Sequence, residues 1–319
     1  MLLPDLEALE AAAAEVYQYL QPTPQLQWPL LNERLGCELW VKHENHNPTG
    51  AFKIRGGLLY MSQLTAAQAD ISAVIAATRG NHGQSIAWAA GNFGLESVIV
   101  VPEGNNPDKN RAMQAMGAKL IVQGSDFNAA LDHAILLAEE RDLHKVPSFH
   151  PDLVAGVASY ALELLKAQPD LERIYVPIGL GSGICGTICA RNALGLSTEI
   201  IGVVASGADC YARSLQARKC CSTESANTLA DGLAVRIPDP EALAMMLDQV
   251  SRVVSVSDDE ILQAIKYYFT DSHNIAEGAG AAALAAAMQE AELNRGARIA
   301  VILSGGNLDA SLYCRALAN

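Results

Sequence analysis

The run Asn47-Pro48-Thr49-Gly50-Ala51-Phe52-Lys53-Ile54-Arg55-Gly56-Gly57 sets a lysine beside an aromatic ring, where a helix opens after a Pro-Thr-Gly turn. A lysine so placed can capture a carbonyl cofactor covalently if its amine is neutral near pH 7. Desolvation or neighbouring positive charge brings that about. Arg55 and the positive end of the helix are the local sources the sequence offers. Alone, the pattern is commonplace, because a lysine next to a phenylalanine on a helix is usually a solvated charge. Three more segments change its meaning. Ala73-Val74-Ile75-Ala76-Ala77 runs into Thr78-Arg79-Gly80-Asn81-His82-Gly83-Gln84-Ser85, and helical spacing resumes at Ile86. A strand–turn–helix junction of this kind presents free backbone N–H groups and a helix dipole to an anion. Thr78, Arg79, Gly80 and His82 are therefore candidates to hold a substrate carboxylate, His82 through its backbone rather than its ring. Asn81 can donate to a phenolate oxygen.

The same layout recurs where Ile174-Tyr175-Val176-Pro177-Ile178 meets Gly179-Leu180-Gly181-Ser182-Gly183, with a helix expected over 184–194. Glycines there let the backbone approach a phosphate at a helix N-terminus. Finally, Ile299-Ala300-Val301-Ile302-Leu303 reads as a buried strand ending on the hydroxyl of Ser304, followed by Gly305-Gly306-Asn307. One glycine-rich turn says little, since most only reverse the chain. Four in this order are specific.

The segments PTGAFKIRGG, TRGNHGQS, GLGSGICG and SGGN make the chain resemble the fold type II pyridoxal-phosphate enzymes, in particular the serine/threonine dehydratase and serine racemase group, from about Trp28 to Asp309. The resemblance implies pyridoxal 5'-phosphate as cofactor and Lys53 as the catalytic, Schiff-base lysine. It implies Phe52 against the cofactor ring and Asn81 at the ring's 3-oxygen. Gly179, Leu180, Gly181, Ser182 and Gly183 would surround the phosphate, with Ser304 at the pyridine nitrogen. A hydroxyl, unlike a carboxylate, does not keep a proton on that nitrogen, so the ring is a weaker electron sink. Prompt loss of a β leaving group is favoured. The implied activity is a dehydratase (ammonia-lyase) in which Lys53 removes the Cα proton of threonine, serine or a related 3-hydroxy amino acid. The products are a 2-oxo acid and ammonia.

Departures from the group sharpen this. Racemases carry a serine in the slot of Arg79, and arginine is a poor acid or base. Elimination is therefore expected over racemisation. Arg79 reads either as a fork for a second substrate carboxylate, as in 3-hydroxyaspartate, or as an arginine turned outward or paired with an acid. Sulfide-using β-replacement relatives carry threonine where His82 stands. A non-catalytic amino-acid binder would gain nothing from the lysine. Asp209 keeps one carboxylate of a cation site, but Val203 occupies the expected glutamate position, so no metal is expected. Glu277 matches an acidic position near the cofactor, or serves only to start the alanine-rich helix after it. His150, before Pro151, reads as a loop histidine.

Elements that could position these groups alternate strand and helix. Strands are expected at 38–44, 73–78, 97–102, 119–123, 173–178, 199–205, 253–256 and 298–303, and helices at 107–116, 126–141, 156–167 and 258–272. That alternation predicts an α/β protein with parallel sheets covered on both faces. By resemblance it is two doubly wound open sheets, tryptophan synthase β-like, with the cofactor in the cleft between a small mobile domain (55–145) and a large one (1–54 and 146–319). The chain's end at Asn319 leaves no room for the regulatory domain of feedback-controlled threonine deaminases, so isoleucine control of that type is not expected.

Composition agrees. A net charge of −13 offers no footprint for nucleic acid or for an anionic membrane surface. No apolar run reaches 18 residues, and Asp5, Glu7, Glu10 and Glu15 make the start unlike a secretory signal. Seven cysteines lack disulfide spacing, and Cys185 with Cys189 reads as a pair of buried thiols. A cytoplasmic homodimer acting on a small amino acid is the expectation.

Overall fold

The computed structural model describes residues 4–318. Its ten strands are β1 (Gln25–Gln27), β2 (Glu38–His43), β3 (Ala73–Ala77), β4 (Glu96–Val101), β5 (Lys119–Val122), β6 (His144–Lys145), β7 (Arg173–Pro177), β8 (Glu199–Ala205), β9 (Arg252–Val256) and β10 (Arg298–Leu303). They form two sheets, ordered β1-β2-β10-β7-β8-β9 and β5-β4-β3-β6. Every pairing is parallel except β1 with β2. Parallel strands must bury both faces, which is why β8 and β10 read as nearly unbroken apolar runs.

Helices supply the covering layers. Gly278–Gln289 is alanine-rich and almost wholly buried. Its side chains share one core with those of helix Asp258–Ser272 and with Val301, Val203 and Tyr175 of the large sheet. Alanine lets that helix lie close to the strands. Helix Lys53–Ala67 is equally constrained, since a Cβ on Gly56 would lie 2.6 Å from the Leu153 carbonyl oxygen of helix Pro151–Ala167. Only glycine permits that crossing.

All eight strands expected from the sequence are present, and helix Asp258–Ser272 opens on a capping box made by Ser257 and Glu260. Helix Pro151–Ala167 begins five residues before the expected start. His150 is its N-cap, with Nδ1 accepting from the Asp152 N–H at 3.2 Å, and Pro151 occupies the first turn where its missing N–H costs nothing. The first and last expected chemistry-bearing turns, and the two between, all lie in the larger pattern of open α/β sheets, in which ligands bind beyond the carboxyl ends of strands. Thr78 follows β3, Ile178 and the glycine loop follow β7, and Ser304 follows β10.

Candidate active site

Lys53 opens its helix directly after Phe52, and its Nζ lies 4.9 Å from the centre of the Phe52 ring. Burial pushes the ammonium below its ordinary range, and the Glu277 carboxylate pulls the other way. Arg55 takes no part, contrary to the sequence expectation. Its guanidinium is fully buried in the opposite direction, bonded to Glu44 (2.7 and 3.0 Å), Glu163 (2.6 and 3.1 Å) and Ser159 (2.9 Å). Desolvation, not a neighbouring cation, prepares the amine.

The glycine-rich element expected to hold a phosphate is the loop from Gly179 to the start of helix Ser182–Ala193. Gly181 holds φ at 109°, a left-handed conformation that glycine adopts without strain. Among the described residues, the amides of Gly179, Leu180, Gly181, Ser182 and Gly183 find no acceptor. Two residues the sequence reading missed orient peptides of this stretch. Tyr211 Oη donates to the Leu180 carbonyl at 2.9 Å, and Tyr160 Oη donates to the Gly183 carbonyl at 2.8 Å. In a trans peptide the C=O and the following N–H point opposite ways. Holding those carbonyls on the tyrosine side therefore turns the Gly181 and Ile184 N–H groups to the other side. The Phe52 ring edge approaches the same place, about a van der Waals contact (3.5 Å) from where a Gly183 Cβ would stand.

The turn after β3 is shaped by Thr78, whose Oγ1 accepts from the Gly80 and Gly83 N–H groups at 3.1 and 3.3 Å. The amides of Arg79, Asn81 and His82 are left without acceptors among the described residues, a nest suited to a carboxylate. The Arg79 side chain is exposed and forms no hydrogen bond or ion pair among the described residues. Burial, then the Lys53 charge, lowers the His82 imidazole to about 3, so the ring is neutral, and its Nε2 has no partner.

Asn81 begins helix Asn81–Asn92 and donates through Nδ2 to Glu277 Oε1 at 2.5 Å. Glu277 caps the alanine-rich helix only in position, since its side chain makes no capping bond and turns to Asn81 instead. Burial raises its carboxyl to about 6, against the pull of Lys109, of the Asn81 bond and of Lys53. Lys109, also unforeseen, pairs with Asp231 at 2.8 Å beside Gly80. A carboxyl whose folded value is raised contributes stability below its ordinary 4.5 that is lost as pH rises through 6. Glu277→Gln is therefore expected to stabilise the apoprotein by up to about 2 kcal/mol at pH 7 and by far less at pH 5. Melting temperatures of both proteins across that window check it; a constant difference would refute it.

Ser304 is buried, its carbonyl accepts the Phe52 N–H at 3.0 Å, and its hydroxyl has no partner among the described residues. Asp209 sits at the start of helix Cys210–Ala217 and pairs with Arg213 at 2.9 Å. Among the described residues no group of three or more His, Cys, Asp or Glu side chains is arranged to hold a metal.

A desolvated amine, a run of free amides at a helix N-terminus and a buried hydroxyl without a partner among the described residues are chemically suited to a phosphorylated carbonyl cofactor such as pyridoxal phosphate. A family model described as pyridoxal-phosphate dependent enzyme matches residues 16–305, and the chain belongs to that family. It is 34% identical over 300 residues to the L-threonine dehydratase biosynthetic IlvA of Pasteurella multocida, covering 93% of this chain and 58% of that protein. The chain thus spans little more than half of that relative's length. Among solved structures it superposes on the processed form of threonine deaminase isoform 2 from Solanum lycopersicum with a TM-score of 0.91 at 28% identity, covering 99% of this chain and 94% of the other. Maize serine racemase gives the same TM-score and identity, with coverage of 99% and 98%.

Proposed function

We propose that this chain is a pyridoxal-phosphate dehydratase that removes the β-hydroxyl of threonine, serine or a related 3-hydroxy amino acid, giving a 2-oxo acid and ammonia. The observation that carries it is the pairing of a desolvated Lys53 with a neutral hydroxyl donor, Ser304, in place of a carboxylate. When bound, the cofactor supplies a conjugated sink for the electron pair left at the substrate Cα. The Arg79, Asn81 and His82 amides hold the α-carboxylate and so fix which bond at Cα faces Lys53. Lys53 Nζ accepts the Cα proton, which a neutral amine can do and an ammonium cannot. Ser304 would offer the ring nitrogen a hydrogen bond without charge, which favours loss of the β-hydroxyl over a long-lived charge at Cα, and the phosphate of the bound cofactor would supply the proton with which that hydroxyl leaves as water. Neutral His82 places no cation beside Lys53, so nothing there opposes the positive charge that Lys53 gains on taking the Cα proton.

Residues 55–145 act in this reading as a unit that closes over the substrate and excludes water. Lys109 on Asp231 and Asn106 on Asp309 are polar contacts such closure would use. The reading extends to a homodimer in the cytoplasm; no described helix is long and apolar enough to cross a membrane. Keto-acid release measured across serine, threonine, 3-hydroxyaspartate and phenylserine, both enantiomers of each, tests the proposal. Sulfide-dependent cysteine formation without keto acid would replace it with β-replacement, and interconversion of enantiomers without keto acid would replace it with racemisation.

A second reading concerns the substrate side chain. The Arg79 guanidinium is uncommitted at the rim of the carboxylate nest, as a fork for the second carboxylate of 3-hydroxyaspartate would be. Arg79→Ala is then expected to lower kcat/KM for 3-hydroxyaspartate by roughly 10–100-fold, the range for losing a charge-assisted bond, while threonine turnover changes little. Equal losses on both substrates would remove this role.

A further inference from the structure

We infer that Asn307 is the positioning residue that fixes which end of the Asn81 amide faces the cofactor. This rests on the reading of Asn81 as the donor to the 3-oxygen. A carboxamide has nearly the same shape in its two flipped states, but flipping exchanges a donor for an acceptor, so its neighbours alone decide the orientation. Asn307 Nδ2 donates to Asn81 Oδ1 at 2.8 Å and to the Thr49 carbonyl oxygen at 2.9 Å. A backbone carbonyl is an acceptor that cannot flip, so Thr49 fixes the Asn307 amide, and Asn307 in turn fixes the oxygen of Asn81. At the far end, Asn81 Nδ2 spends one proton on Glu277 Oε1 and keeps the second for a ligand.

The arrangement is rigid where it needs to be. Backbone bonds from Gly306 N–H to Gly50 O (2.9 Å) and from Phe52 N–H to Ser304 O (3.0 Å) tie the segment after β10 to the turn before Lys53. A Cβ on Gly50 would stand 2.5 Å from Asn307 Oδ1, so the asparagine packs directly against that turn. Asn81 arrives from the small sheet and Asn307 from the large one. The donor toward the 3-oxygen is consequently assembled from both sheets, and through Thr49 it is tied to the turn that carries Lys53.

The test is a double-mutant cycle on the holoenzyme with Asn81→Ala, Asn307→Asp and the double variant. Asn307→Asp keeps the shape but, once ionised, presents only acceptors, so Asn81 Oδ1 loses its donor and is repelled, and the amide, still bound through Nδ2 to Glu277, is pushed out of line with the 3-oxygen. The readouts are the absorption band of the bound cofactor, the pH at which that band changes, and the Kd for pyridoxal phosphate. The expected result is a shifted band and roughly 10-fold weaker cofactor binding in Asn307→Asp, with the double variant within twofold of Asn81→Ala. A wild-type band and Kd in Asn307→Asp would overturn the inference. So would an equal loss in the Asn81→Ala background, which would mean that Asn307 acts through the Thr49 turn. If Asn81→Ala itself leaves band and Kd unchanged, the reading of Asn81 falls and this inference with it, while the dehydratase assay is unaffected. Should Asn307→Asp fail to fold, Asn307→Ala removes the donor without adding charge and is read in the same cycle.

Discussion

Lys53→Ala is expected to lower keto-acid release by roughly 10⁴-fold or more, because one amine both anchors the carbonyl cofactor and accepts the Cα proton. No other group in the site can take over the second task. His82 is neutral but its pKa of about 3 makes it too weak a base. Lys109 is committed to Asp231. The Glu277 carboxylate is held by the Asn81 donor. The glycine loop does not involve Lys53, so the variant should still bind pyridoxal phosphate, though reversibly. Hydride treatment followed by mass analysis should find an adduct at position 53 in the wild type and none in the variant. Near wild-type turnover in Lys53→Ala would end the whole mechanistic reading, including the role given to Ser304. Rescue by added methylamine or ethylamine would support it, since a free amine then supplies the missing base.

How much of this was legible before the fold was known follows from the range of each signal. The four turns were readable because strand, glycines and helix start are contiguous, so the sequence shows the whole device. β1 and β6 were not, since three and two residues are too few to carry a period. The residues that orient the site were invisible for a different reason. Tyr160 meets its loop partner 23 residues on and Tyr211 meets Leu180 from 31 residues away, and nothing in their local spacing marks them. Asn307 stood in the SGGN turn, but its pairing with Asn81 across 226 residues did not show there. The expectation for Arg55 failed on helix geometry. Residues two apart on a helix are rotated by about 200°, so a neighbour in sequence at that spacing faces away. Lys53 looks toward Phe52 and Glu277, and Arg55 therefore had to look the other way, toward Glu44 and Glu163.

That direction carries the second large prediction. Arg55 and Lys42 face Glu44 and Glu163 in a buried group of two positive and two negative charges. Arg55, Lys42 and Glu44 have no exposed surface. The remaining hydrogen-bonding capacity is taken up by Thr23, Asn47, Ser159 and Tyr17, whose hydroxyl donates to Glu163 Oε1 at 2.8 Å. Such a group adds little net stability against an apolar replacement, but removing one partner strands the others. Arg55→Met leaves two carboxylates against one ammonium out of reach of water, and is expected to destabilise the apoprotein by about 3–5 kcal/mol in urea unfolding. Burial alone would raise the Glu44 carboxyl, yet Arg55 and then Lys42 overcome it and hold the group below its ordinary 4.5. A lowered carboxyl contributes stability above 4.5 that disappears as pH falls through the folded value. In Arg55→Met that pull is weakened and Glu44 protonates more easily. The deficit against wild type should therefore be greatest near pH 7 and shrink as pH drops below 4.5. Adding Glu44→Gln to Arg55→Met removes one stranded charge and should recover part of the loss at pH 7. A deficit that is independent of pH and indifferent to Glu44→Gln would mean that Arg55 stabilises this helix by packing its side chain and not by balancing charge.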